Sequence, residues 1–118
     1  MSLALDVSPG SLIVLIGLMG SGKTTVGRAL AQKLKIKFAD SDELIEKSVK
    51  LSVREIFTQS GEPEFRRLES EALMNAANSS ETLVLAVAGG AVLAETNRAL
   101  LKNKSRCIVW LDAPTSTL

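Results

Sequence analysis

Histidine is absent from this 118-residue chain. Without it, His-based acid–base catalysis is excluded and zinc sites lose their usual imidazole ligand, so proton handling falls to carboxylates, lysine or water. A single cysteine, Cys107, rules out any disulfide within the chain. It lies in the apolar run Cys107-Ile108-Val109-Trp110-Leu111, which reads as a buried strand with the thiol as a small core residue. No apolar run approaches the roughly 20 residues that span a bilayer. Met1-Ser2-Leu3-Ala4-Leu5-Asp6 lacks the basic segment that opens a signal peptide, so a cytoplasmic protein is expected. An excess of one charge is missing too. The net charge is +1, which argues against a nucleic-acid or membrane-surface partner. Lys33, Lys35 and Lys37 form only a local basic cluster, read as a solvated helix end. The length suits one domain with a proper core.

Against these absences stands one dense motif, Gly-Leu-Met-Gly-Ser-Gly-Lys-Thr-Thr at residues 17–25. Gly17, Gly22, Lys23 and Thr24 satisfy the phosphate-binding pattern G-x-x-x-x-G-K-[ST]. The run Leu12 to Ile16 before it reads as a buried strand. Val26, Leu30 and Leu34 after it recur at helical spacing, giving the strand–loop–helix order the motif requires. Gly17, Gly20 and Gly22 let the backbone turn its N–H groups inward on phosphate oxygens, and the helix adds its positive end. Lys23 would reach the β- and γ-phosphates, and the Thr24 hydroxyl is the expected Mg²⁺ ligand.

Three further strand-like runs follow: Ile36–Asp40, Leu83–Val87 and Cys107–Leu111. Their alternation with helical segments predicts a parallel sheet with helices on its faces, an α/β architecture. Ser52-Val53-Arg54-Glu55 is a capping box. Pro63 suits the first turn of a helix whose Phe65, Leu68, Ala72, Leu73 and Ala76 form one buried face. Glu95-Thr96-Asn97-Arg98 opens a shorter helix. Asp112-Ala113-Pro114-Thr115 reads as a turn, with a helix starting at Thr115-Ser116. Met19 and Met74 are expected as loop and core filler, and Trp110 as a core aromatic.

Several residues admit two readings. Asp40-Ser41-Asp42 ends the second strand, where ligands bind in open α/β sheets. Asp40 suits Mg²⁺ and Asp42 suits orienting a substrate hydroxyl, but either Asp40 or Ser41 would equally cap a helix. Arg66 could hold a carboxylate or merely pair with Glu69. Arg67 reads better as a surface partner of Glu71. Gly89-Gly90 brings backbone N–H groups close to a ligand, or simply forms a turn.

Taken in order, these segments resemble shikimate kinase from about Leu12 to Ala113. The resemblance is carried by residues 17–28, Phe38-Ala39-Asp40-Ser41-Asp42 with Ile45-Glu46, and Ser52-Val53-Arg54-Glu55-Ile56-Phe57. It continues in Gly61-Glu62, Phe65-Arg66-Arg67-Leu68-Glu69 and Gly89-Gly90-Ala91-Val92. It implies ATP-dependent phosphorylation of the shikimate 3-hydroxyl on a three-layer P-loop fold with strand order 2-3-1-4-5. Lys23 and the backbone of Gly20, Ser21, Gly22, Lys23, Thr24 and Thr25 would hold ATP, with Mg²⁺ on Thr24 and Asp40 nearby. Lys23 and Asp42 would be catalytic. Asp42, Arg66, Gly89 and Gly90 would bind shikimate. A monomer is expected at full length. The alternatives are a related sugar-acid kinase such as gluconate kinase, or a catalytically silent nucleotide-binding module.

Two departures accompany the resemblance. The family carries three glycines after the third strand, and Ala88 stands for the first. The chain also reads as the N-terminal two-thirds of a larger domain, without the lid, its arginine and the fifth strand. A chain ending at Leu118 is therefore expected to associate, to bind nucleotide and to turn over poorly.

Overall fold

The computed structural model describes residues 11–17 and 22–111. Four strands form one parallel sheet in the order β2-β3-β1-β4: β1 (Leu12–Gly17), β2 (Lys37–Asp40), β3 (Leu83–Ala88) and β4 (Cys107–Leu111). Every residue of β1 is buried because it has a strand on each side and helices over both faces, which explains its unbroken apolar run. Its side chains alternate between two cores. Leu12, Val14 and Ile16 join Leu85 and Val87 of β3, Leu73 of α3 (Val53–Asn78) and Leu101 of α4 (Glu95–Lys104). Ile13 and Leu15 join Val84 and Ala31, the latter on α1 (Lys23–Leu34). A third cluster, Ile45, Ile56, Phe65 and Leu68, locks α2 (Ser41–Val49) to α3. The expected order 2-3-1-4 is therefore observed.

Local signals fix the helix ends. Ser52 and Glu55 form the reciprocal capping box that starts α3. Gly61, at φ 80° and ψ 173°, breaks α3 into two segments, a conformation that favours glycine. Pro63 then sits in the first turn of the second segment, where its missing N–H costs little. That segment buries Phe65, Leu68, Leu73 and Ala76 as their spacing predicts.

Four apolar residues depart from expectation. Val26 is exposed, and α1 instead buries Gly27 and Ala31. Met74 is exposed because it follows the buried Leu73 by one position and so points off the core face. Trp110 is also exposed, and Cys107 is only half-buried. Among the described residues β4 pairs with β1 alone, so its faces are less covered than those of central strands. Met19, the turn at Asp112 and the helix at Thr115 lie outside the described residues.

Gly27 brings α1 down onto β2. A Cβ there would fall on Cε1 of Phe38, within 2.9 Å of its Cδ1 and 3.2 Å of Leu15 Cδ1. The Arg28 guanidinium lies 5.1 Å from the centroid of the same ring. Gly27→Ala is expected to destabilise the fold by about 1–3 kcal/mol despite alanine's better helix propensity. A urea midpoint equal to wild type would refute this packing.

Candidate active site

The parallel sheet delivers its strand ends to one edge, and the candidate residues gather there. β1 ends at Gly17, and α1 resumes at Lys23 behind Gly22. Gly22 has φ 84°, a conformation that calls for glycine, and no atom of the described residues comes within 4 Å of a notional Cβ. Its carbonyl accepts from Val26 N at 2.9 Å, closing the first turn. Lys23 is half-buried and donates from Nζ to the Gly17 carbonyl at 2.6 Å, holding its ammonium across the mouth of the loop. Thr24 and Thr25 are exposed in the first turn of α1, beside the positive end of the helix. Gly20 and Ser21 lie outside the described residues.

Next along the edge, Asp40 terminates β2 and caps α2. Its Oδ1 accepts from Asp42 N at 2.9 Å and Glu43 N at 3.4 Å. Capping thus accounts for one Asp40 oxygen. It also fixes the following Asp42 on the first turn, facing the site. Asp42 Oδ1 is buried with no partner among the described residues. Burial pushes the Asp42 carboxyl above its usual range, and Asp40 and Glu46 push the same way. Lys23 and Arg66 pull it back. The carboxylate therefore lies within electrostatic reach of both cations.

The two arginines separate cleanly. Arg67 is exposed and doubly engaged, with Nε to Glu64 at 2.8 Å and Nη1 to Glu71 at 3.2 Å. It is the surface pair its spacing suggested. Arg66 points instead to the strand edge. Its Nη1 donates to Glu69 Oε1 at 2.9 Å, and its guanidinium lies 5.3 Å from the Phe65 ring centroid. It also covers Gly90: a Cβ there would come within 2.9 Å of both Nη1 and Nη2. Beside it opens a cavity of about 280 Å³, lined by Glu62, Arg66, Glu69, Gly90, Leu93 and Asn97 among others.

Glu69 belongs to this site although spacing alone makes it an ordinary ion-pair partner. It is 1% exposed, and its Oε2 has no partner among the described residues. The available signal was its place three residues beyond Arg66 and one beyond the buried Leu68. Ser41 was likewise legible only as a possible cap. It is buried, and its hydroxyl accepts from Ala88 N at 3.4 Å.

Gly89 and Gly90 open a 3-10 turn, Gly89–Leu93, after β3. α4 holds this turn from behind: Asn97 Nδ2 donates to the Ala91 carbonyl at 2.9 Å and Arg98 Nη1 to that of Val92 at 2.7 Å. Ala88, with φ −63° and ψ 144°, occupies extended backbone open to any residue. The methyl group thus introduces no backbone strain.

A glycine-bounded strand–loop–helix on a parallel sheet, with its lysine across the loop mouth, defines a P-loop domain of the α/β class. The sequence profile of shikimate kinase matches residues 19–118. The shikimate kinases of Symbiobacterium thermophilum and Moorella thermoacetica are each 47% identical to the chain, over 90% and 92% of it respectively. The chain belongs to the shikimate kinase family. Among solved structures, shikimate kinase from Acinetobacter baumannii in complex with shikimate superposes with a TM-score of 0.84 at 40% identity. That match covers 90% of this chain and 58% of that one. The Aquifex aeolicus enzyme gives 0.82 at 38% identity, covering 90% of this chain and 62% of that one. The chain spans 60% and 61% of the lengths of the two curated relatives.

Gly90→Ala should displace the Arg66 guanidinium and leave Glu69 poorly paired. A loss of about 1–3 kcal/mol in stability follows from orphaning a buried carboxylate. Chemical denaturation together with the Arg66 Nε–H resonance checks this. An unmoved resonance with full stability would contradict it.

Burial also raises the Glu69 carboxyl above its usual range, opposed by Arg66. A raised folded-state pKa means that folding favours the protonated form. Its contribution to stability is full below the unfolded-state value and is lost as pH rises through the folded-state value. Glu69→Gln removes this titration while keeping the shape. Between those two values, wild-type stability should fall with rising pH relative to Glu69→Gln. Parallel stability profiles would rule this out.

Proposed function

We propose that the chain carries the nucleotide-binding and substrate-recognition machinery of an ATP-dependent shikimate kinase. Asp42 carries this reading: a carboxylate with one buried oxygen that has no partner among the described residues, within electrostatic reach of a phosphate-loop lysine and of a half-exposed arginine. Such an oxygen is suited to accept a hydrogen bond from a polyol hydroxyl. Arg66 is suited to a carboxylate, because its planar fork is only partly consumed by Glu69 and Glu62. A hydroxylated ring acid would offer a hydroxyl to the one and a carboxylate to the other. Gly89 and Gly90 would add backbone contacts.

Lys23 and the loop backbone from Gly20 to Thr25 would hold ATP, with Lys23 leaving the Gly17 carbonyl for the β- and γ-phosphates. The oxygen donors available, Thr24 and Asp40, are the hard ligands that suit Mg²⁺. No group of three acidic, cysteine or histidine side chains positioned for a metal occurs among the described residues. When bound, Mg²⁺ would neutralise charge on the β- and γ-phosphates.

The 3-hydroxyl oxygen would attack the γ-phosphorus as the bond to the β–γ bridging oxygen breaks, releasing ADP. Asp42 would orient the hydroxyl and take its proton. Its raised pKa brings it nearer the operating pH, where a base is more effective. The reading takes the enzyme as cytoplasmic, monomeric at full length, and free of nucleic-acid or membrane partners. No helix among the described residues is long and apolar enough to cross a membrane.

Substitution kinetics on the intact enzyme test the assignment. Arg66→Ala should weaken shikimate binding by at least about thirtyfold, and Arg66→Lys should hurt shikimate more than ATP. Lys23→Ala should weaken ATP binding with the fold intact. Asp42→Asn should lower kcat more than it raises KM. A shift of the carboxylate effect to Arg67→Ala would overturn the choice of arginine. Turnover with gluconate, or with neither acid, would favour the sugar-acid kinase or the silent module respectively.

A further inference from the structure

We infer that Ser41 is a positioning residue that ties the two halves of the acceptor site together through the Ala88 amide. The inference rests on the reading of Asp42 and Gly89-Gly90 as parts of one shikimate site.

Pairing between β2 and β3 ends at Asp40↔Ala86, while β1 continues beside β3 to Gly17↔Ala88. Over Val87 and Ala88, β3 therefore has a strand neighbour on one side only among the described residues. β2 has by then turned into α2, so its backbone no longer supplies acceptors there. The Ser41 hydroxyl supplies the missing acceptor, receiving the Ala88 N–H at 3.4 Å. Buried backbone donors require such a partner. The bond is long, but Ser41 is only 1% exposed, so water does not readily replace it.

Its location gives the bond consequence. Ser41 lies between the α2 cap Asp40 and the acceptor Asp42. Ala88 precedes the two glycines, of which Gly90 packs under Arg66. The hydrophobic cluster already holds α2 to α3; this one side-chain bond ties the start of α2, and with it Asp42, to the end of β3 and its two glycines across the strand gap. Among the described residues no bond from Ser41 or Ala88 bears on Lys23, which starts α1 and donates to Gly17 of β1. Loss of the bond should therefore affect the acceptor and spare the nucleotide.

Ser41→Ala removes the acceptor. Ala88→Pro removes the donor, at a φ of −63° that the proline ring accepts. Shikimate and ADP affinities are measured by calorimetry, and amide exchange is followed at Gly89 and Gly90. Each single variant should raise the shikimate dissociation constant roughly fivefold to tenfold and leave ADP affinity unchanged. Exchange at the two glycines should quicken, and the double variant should lose nothing more. Unchanged exchange in Ser41→Ala, or equal losses for both ligands, would overturn the inference. If wild type itself fails to bind shikimate, the functional reading falls, while the exchange comparison still decides whether the bridge exists.

Discussion

Burial of β1 on both faces is the constraint on which the rest of the structure depends. A strand with parallel neighbours on either side must be apolar throughout, and its neighbours must be reached by crossover helices. All strands then end at the same edge. That edge collects Gly17, Asp40 and Ala88, residues well separated in sequence, within three adjacent strand tips. The chemistry-bearing residues are those that immediately follow each tip: Lys23 after the loop, Asp42 after the cap, and Gly89-Gly90 after the third strand. The site is a consequence of where parallel strands stop.

Electrostatics then sorts the edge. Lys23 and Arg66 bracket Asp42 from the β1 side and the α3 side. Two carboxylates, on Asp42 and Glu69, each keep a buried oxygen without a partner among the described residues. Such oxygens are costly in a fold that serves only stability. Arg66 offsets part of that cost for Glu69, and Lys23 together with Arg66 limits it for Asp42. Polar groups left short of partners at a strand edge are a mark of a site awaiting a polar ligand.

The elements themselves were legible in the sequence because their signals are local. Apolar runs marked the four strands, and Ser52 with Glu55 marked the start of α3. Pro63 marked a helix start that Gly61 makes real. The apolar residues that went the other way, Trp110, Met74, Val26 and Cys107, share one cause: hydrophobicity does not report how much of a strand or helix face is covered. Within the site, Lys23 and Thr24 came from the motif's own spacing. Asp42 and Arg66 stood even on spacing and were favoured only through the family resemblance. Helix rotation is what distinguishes Arg66 from Arg67, and two adjacent residues of equal chemistry do not encode it. Glu69 and Ser41 escaped notice as site residues because a buried ion pair or a strand-bridging hydroxyl looks, in sequence, like a surface pair or a cap.

The same distinction between local and tertiary demands explains the departure at Ala88. A glycine is required either where φ is positive or where a neighbour occupies the space of Cβ. Ala88 meets the first test with ordinary extended angles, and its amide is already engaged by Ser41. Gly90 fails the second test, with both terminal nitrogens of Arg66 at 2.9 Å from where a Cβ would stand. The two positions therefore answer to different constraints, although the family pattern writes them with the same letter. At Gly90 the atoms in the way are the tip of a flexible arginine side chain, so an added methyl group would displace the guanidinium from the strand edge and leave the backbone where it is.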